Sequence, residues 1–276
     1  MNLEGVIDLH VHCGPDSLAR TFDAVDLARI AKERGMRGFV VKNHYEPTAS
    51  LAYMARKQVP GIEVFGGVTL NLAVGGMNPV AVEHMAKVIG GYGRFVWMGS
   101  FDTEAQVRYS REERPFVSVS RNGELLPEVK DVIAVIARYN LVLSTGHNTP
   151  DEVLLMIREA RRQGVQHIIV THAMIAPIHM THAVMIEAAE LGAYIEFVYN
   201  GTIGPYKEFE LTEYAEAIRL TGVKQSILST DLGQIVNPPH ADGMFTFLEG
   251  MEAIGFSQTE LDRMTKENPA RLLGLK

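Results

Sequence analysis

Two histidines two residues apart, His10 and His12, stand in a short apolar run near the N-terminus, Ile7-Asp8-Leu9-His10-Val11-His12. If that run is a β-strand, side chains at i and i+2 leave one face. The two imidazoles then lie side by side, and Ile7, Leu9 and Val11 take the other face. Neutral imidazole is a common transition-metal ligand, and two on one strand need little further ordering to chelate a cation. The same spacing also arises by chance in core and surface strands, so the rest of the chain must decide its meaning.

Other residues able to do chemistry follow other apolar runs. Lys42 and His44 end the second run, and His147 follows the fifth in Ser144-Thr-Gly-His. Thr171-His172 ends the sixth, and Asp231 ends the eighth in Ser229-Thr-Asp. Histidines needed only for packing have no reason to prefer one end of a strand, so this distribution favours a metal site. A carboxylate facing the His-x-His pair suits a proton acceptor for a metal-activated water. The remaining five of the ten histidines, His84, His167, His179, His182 and His240, read as surface or structural residues. Cys13 reads as a small buried residue, and Trp97 as packing.

The elements that must position these groups are legible in outline. Eight apolar runs fall near residues 6–12, 37–44, 62–70, 94–100, 141–146, 166–172, 193–199 and 225–231. Helical patterns lie between most of them. Residues 23–34 place Val25, Leu27, Ile30 and Ala31 on one face before Gly35, and residues 48–58 start at Thr48, a good N-cap. Asn78-Pro79 and Thr149-Pro150 each set a capping side chain ahead of a proline at the first helical position. Residues 128–139, 181–191, 211–220 and 259–266 supply further helices. Strand and helix alternating eight times predicts a single (β/α)8 TIM barrel over residues 1–276, with an open doubly wound sheet as the alternative. Alternation around Asn122-Gly123 within 116–126 predicts a small hairpin inserted after the fourth strand. The catalytic face of such a barrel is the C-terminal end of its strands, where the residues above fall.

Composition narrows the partners. With 46% hydrophobic residues the chain has ample material for a core, and a formal net charge of -7 argues against nucleic acid or anionic membrane as the main partner. A small-molecule substrate is expected, with homo-oligomerisation left open. A lone cysteine permits no intrachain disulfide, and the start lacks a signal-peptide pattern, so a cytoplasmic location is expected.

Taken together, His10-x-His12, His147, His172 and Asp231 resemble the metal-ligand series of the amidohydrolase superfamily. The ending Glu267-Asn-Pro-Ala-Arg-Leu-Leu-Gly-Leu275 resembles its last helix. The resemblance spans the chain and implies a (β/α)8 barrel, a one- or two-metal centre and hydrolysis, with the strand-eight aspartate binding metal and moving the proton of the attacking water. It departs at strand four. Many members carry a bridging lysine or glutamate there, whereas Arg94-Phe-Val-Trp-Met-Gly-Ser100 offers neither and the nearest carboxylate is Asp102. The N-terminal third is also similar to the polymerase-and-histidinol-phosphatase group of metallo-phosphoesterases, through Asp8-Leu9-His10-x-His12, Asp16 and His44. Gly67-Val68-Thr69 and Asp231-Leu232 lack the glutamate and late histidine that group would want.

The expectation is therefore a metal-dependent hydrolase of the amidohydrolase type acting on a small ester, lactone or amide. It holds one or two divalent ions, zinc first and manganese or iron as alternatives, on His10, His12 and Asp231, with His147 and His172 completing or doubling the site. Asp231, Lys42 and His44 are the catalytic candidates, and Arg20 and Arg121 the candidate anchors for an anionic substrate. Lys42 shares a strand face with His44 and projects into the mouth. It is either salt-bridged, with Asp8 as the natural partner, or functional, as a metal-bridging carbamate or a cation steadying charge on the substrate. Alternatives are a metallo-phosphoesterase, a decarboxylase on the same fold, and a non-enzymatic metal-binding barrel.

Overall fold

The computed structural model describes residues 2–276. Its elements in chain order are β1 (Ile7–Val11), α1 (Ala24–Glu33), β2 (Gly38–Val41), α2 (Ala49–Gln58), β3 (Glu63–Thr69), α3 (Pro79–Ala86), β4 (Gly93–Trp97) and α4 (Glu104–Tyr109). A short antiparallel hairpin, β5 (Ser120–Arg121) and β6 (Glu124–Leu125), precedes α5 (Pro127–Arg138), β7 (Val142–Ser144) and α6 (Pro150–Arg162). The chain continues through β8 (His167–Val170), α7 (His182–Glu190), β9 (Tyr194–Val198), α8 (Leu211–Thr221), β10 (Ser226–Ser229) and α9 (His240–Ala253). It ends in α10 (Gln258–Asp262), a π-turn over Arg263–Glu267 and α11 (Asn268–Leu273).

Eight of the strands form one parallel sheet in the order β1-β2-β3-β4-β7-β8-β9-β10, each crossing to the next through helix. The seam between β10 and β1 closes at the C-terminal end alone: Asp231 N–H donates to His10 O (2.8 Å), and His12 N–H to Leu232 O (2.7 Å). This is the predicted (β/α)8 barrel, and the hairpin stands where the Asn122-Gly123 turn places it. Among the described residues, no helix is long and apolar enough to cross a membrane.

Caps explain most of the helix starts. Asp23 accepts from the N–H groups of Val25 and Asp26, Asn78 from those of Val80 and Ala81, and Thr149 forms a reciprocal box with Glu152 ahead of Pro150. Thr48 differs from expectation. It holds the N-cap position without capping, because its hydroxyl donates to Val41 O (2.7 Å) and accepts from Gly67 N–H (2.8 Å), tying β2 to β3 instead. Helices α4 and α9 are additions to the elements expected. In α9, Gly243 breaks the apolar pattern because Leu232 packs where its side chain would stand, 2.2 Å from an added Cβ.

Inside the barrel Ile7, Leu9, Val40, Phe65, Phe95 and Trp97 fill the lower layer, closed below by Leu272 and Leu273 of α11. A larger core lies between strands and helices. Ile7, Leu9 and Val11 were expected on one face, yet Ile7 and Leu9 pack inside while Val11 packs in the outer layer. The cause is a register shift between Asp8 and Val11 in the pairing with β2, which resets the alternation just before the histidines reach the mouth.

Candidate metal centre

Because the seam closes through His10 and Asp231, the end of β10 is fixed beside the end of β1. Asp231 takes a left-handed backbone (φ 54°), which turns its carboxylate back toward the two histidines. One oxygen, Oδ1, then lies 3.1 Å from His10 Nε2 and 3.0 Å from His12 Nε2. Ligand atoms of His10, His12 and Asp231 fall within 4.8 Å of one another. Tetrahedral zinc with bonds near 2.0–2.1 Å separates its donors by about 3.3 Å, so each histidine nitrogen needs to move from Asp231 Oδ1 by only a few tenths of an ångström.

The proton positions show why a cation suits this trio. Glu196, at 3.1 Å from His10 Nδ1, is an ionised acceptor, so His10 carries its proton on Nδ1 and presents a bare Nε2. That lone pair faces Asp231 Oδ1 at 3.1 Å and takes its hydrogen bond from Lys42 Nζ at 3.0 Å. Protonating Nε2 as well would satisfy Asp231 but set an N–H against the Lys42 ammonium, 3.0 Å from the same nitrogen. A cation shared by His10, His12 and Asp231 would take up that lone pair in place of the Lys42 hydrogen bond. His147 and His172 form a neighbouring pair, Nε2 to Nε2 at 3.1 Å, with His172 stacked on His10 at 5.9 Å between ring centroids. Gln106 Oε1 accepts from His147 Nδ1–H (2.8 Å), leaving its Nε2 bare too, and His172 Nδ1 is buried without a partner among the described residues.

Burial sets the electrostatics. It pushes His12 down to about 3 and His172 to about 4, against an ordinary imidazole near 6.5, and holds His44 and His147 well below that value. These imidazoles are therefore neutral, as ligands must be. Burial opposes the charge on Asp231, but His10, His12 and Lys42 more than offset it and hold the carboxyl well below the usual range. Burial likewise opposes the charge of Glu196, which His10 and His172 restore, and burial lowers Lys42 from its ordinary value.

Above the trio opens a cavity of about 670 Å³ lined by His12, Arg20, Lys42, His147, His172 and Asp231. Its rim carries Leu18, Tyr109, Tyr206, Ile235 and Val236, all substantially exposed. Arg20 gives its Nε to Asp16 (2.8 Å), and its two terminal nitrogens have no partner among the described residues. A larger cleft of about 870 Å³, beside Gly5, Arg37 and Glu63, sits at the opposite ends of the strands and holds none of these groups.

The structure thus gathers His10, His12, Lys42, His44, His147, His172, Asp231 and Arg20 at one mouth. Arg121 is not with them: its hairpin lies over α4 and α6, where it lines a separate groove with Glu104 and Glu152. Of the two readings of Lys42, the salt bridge to Asp8 is not formed. Asp8 points outward from the bulged strand, held by Thr230 N–H and Oγ1 and by His240 Nδ1, while Lys42 meets His10 and lies 5.7 Å from the Trp97 ring centroid. Asp102 is no stand-in for a strand-four bridge, since Arg114 and Leu72 N–H engage it. His240 is buried and structural. Cys13 is buried, and its thiol is pushed up to about 12 by that burial.

Sequence reasoning missed Glu196, Gln106, Asn71 and Ser100. Glu196 had a signal, as the one charged residue in the apolar run Tyr194-Ile-Glu-Phe-Val198. Gln106 had none, because α4 reaches the site only through the tertiary fold. Gly146 holds His147 in place: its φ is +68°, and an added Cβ would stand 2.0 Å from Gly99 O.

A family model described as a family of unknown function, DUF6282, matches residues 5–196. No curated protein matches the chain in sequence. Among solved structures, an amidohydrolase from Pseudomonas aeruginosa superposes with TM-score 0.69 at 11% identity, covering 98% of this chain and 95% of its own. A phosphotriesterase homology protein from Escherichia coli, with phosphate in its active site, gives TM-score 0.62 at 16% identity over 98% of this chain and 99% of its own. An N-acetyl-D-glucosamine-6-phosphate deacetylase from Mycobacterium smegmatis gives 0.62 at 14% over 99% and 78%. The fold of these barrels therefore extends along the whole chain.

Proposed function

We propose that this chain, which belongs to the DUF6282 family of unknown function, is a metal-dependent hydrolase of the amidohydrolase type acting on a small ester, lactone or amide. One observation carries the reading: three donors on two strands converge at one barrel mouth, with His10 held from behind by Glu196. A divalent ion bound there, zinc first and manganese or iron as alternatives, supplies Lewis acidity and acidifies a water to a pKa of about 7. Asp231 is the proton acceptor for that water, since its ionised oxygen already faces the cavity. His147 and His172 are the natural holders of a second ion.

Arg20 offers a two-nitrogen edge for an anionic group of the substrate. The apolar rim suits a substrate with a hydrocarbon portion, because Leu18, Ile235 and Val236 would be left wet by a wholly polar one. The test is a joint screen of carboxylic esters, lactones, amides and phosphoesters with zinc- and manganese-loaded protein. Turnover of carbonyl substrates supports the proposal. Activity confined to phosphoesters replaces it with a metallo-phosphoesterase, and none on either class, with metal bound, defeats it.

A further inference from the structure

His44 carries its proton on the opposite nitrogen from His10 and His147, and a chain of hydrogen bonds beginning at the backbone dictates this. Asn71 Oδ1 accepts from Ser100 N–H (2.8 Å) and Asp102 N–H (3.3 Å), so the orientation of the Asn71 amide is fixed. Its nitrogen Nδ2 must then be the donor to His44 O (2.8 Å) and to Ser100 Oγ (2.8 Å). Ser100 Oγ, already an acceptor, has one further partner in reach, His44 Nδ1 at 2.8 Å. The hydroxyl proton has no other acceptor among the described residues, so Ser100 donates it to Nδ1. An imidazole that accepts at Nδ1 holds its own proton on Nε2.

That Nε2 has no partner among the described residues, and His44 lines the cavity. The ring is also clamped, with Phe101 stacked on one face (centroids 3.9 Å, planes 15° apart) and His12 stacked nearby (4.8 Å, 17°). His10 and His147 contrast with it, each donating from Nδ1 to a side-chain oxygen and leaving Nε2 bare. His10 and His147 thus present a lone pair at Nε2 where His44 presents a hydrogen.

We propose that His44 is a catalytic hydrogen-bond donor to the substrate's carbonyl oxygen and not a metal ligand. The assignment of a reaction to this donor rests on the hydrolase reading above. As the water oxygen adds to the carbonyl carbon, the π pair moves onto the carbonyl oxygen and the water's proton passes to Asp231. His44 keeps its proton throughout and donates a hydrogen bond to that oxygen as its charge grows. On collapse the pair returns to re-form the carbonyl, and the leaving oxygen or nitrogen departs with the proton from Asp231. Removal of one such fixed donor lowers kcat by about 10²–10³.

Two-bond ¹H–¹⁵N correlation NMR of the full chain labelled at histidine nitrogen reads the tautomer directly, with His44 assigned by its loss from the His44→Gln spectrum. A single Nε2–H tautomer is expected, mixed on Ser100→Ala; an Nδ1–H tautomer in the parent overturns the proposal. Elemental analysis of His44→Leu should show unchanged metal equivalents, and loss of an equivalent makes His44 a ligand instead. On a carbonyl substrate of the parent, His44→Leu should lose about 10²–10³ in kcat with KM little changed, and His44→Gln, which keeps an N–H, should recover part of it. Full activity in His44→Leu overturns the donor role. A parent with no turnover defeats the hydrolase reading alone, because tautomer and metal content still decide what His44 is.

Discussion

Glu196 Oε2 stands 3.1 Å from His10 Nδ1, on the far side of the ring from the nitrogen that faces Asp231. The same oxygen accepts the backbone N–H of His172 (3.0 Å), so one buried carboxylate orients a histidine from each pair. Such supporting carboxylates fix the tautomer and strengthen the ligand. Glu196→Gln keeps the shape and removes the charge. It should weaken metal affinity by about 10–100-fold in competition with a chelator. Wild-type affinity would remove Glu196 from this role.

Purified protein should carry one or two equivalents of a transition metal. Asp231→Asn should remain folded yet lose hydrolysis, since an amide cannot take a proton from water. Elemental analysis and turnover on the substrate found by screening check both. A well-folded preparation that stays metal-free after supplementation with zinc and manganese, or near-parental turnover in the variant, contradicts them.

Lys42 is buried, and its hydrogen-bond partner is the bare nitrogen of His10. As a charge stabiliser it predicts that Lys42→Ala retains its metal and loses most turnover. As a carbamate bridging two ions it predicts loss of one metal equivalent together with activity. If its part is structural, melting temperature falls and little else changes. Metal count, kcat and melting measured on one variant separate the three.

Acid should destabilise the chelated protein before its carboxylates titrate. Unfolded imidazole has a pKa near 6.5, whereas burial lowers His12 to about 3 and His172 to about 4. Their contribution is present above about pH 6.5 and is lost as pH falls toward those folded values, because the unfolded chain binds protons the folded chain refuses. Each contributes a slope of up to about 1.4 kcal/mol per pH unit. Melting temperature should hold steady from pH 8 to 7 and fall steeply from 6.5 to 4. A flat profile over that second range would mean that the folded site takes up the protons.

Gly146→Ala should cost about 1–2 kcal/mol from the left-handed backbone alone, and more from the contact with Gly99 O. Thermal melting checks it. The substitution also pushes on His147, so metal stoichiometry above one equivalent should fall where His10, His12 and Asp231 keep theirs.

The sequence by itself determined the barrel and most of the residues gathered at its mouth, for a local reason. Strand runs, caps such as Asn78-Pro79 and Thr149-Pro150, and the fall of His10, His12, His147, His172 and Asp231 at strand ends are features of neighbouring residues. Parallel strands joined by helices then leave few ways to close. What only the tertiary structure decided lies in contacts across the chain. The shift between Asp8 and Val11 that turns Val11 outward depends on pairing with β2. The separation of Arg121 from the mouth depends on where a hairpin packs, and the surroundings of Lys42 depend on His10 and Trp97 from other strands. Glu196 and Gln106 became visible only as the atoms behind His10 and His147, 186 and 41 residues away in the chain. Strand periodicity places a side chain on a face, but the proton on an imidazole is set by the acceptor that the folded chain brings to its other nitrogen.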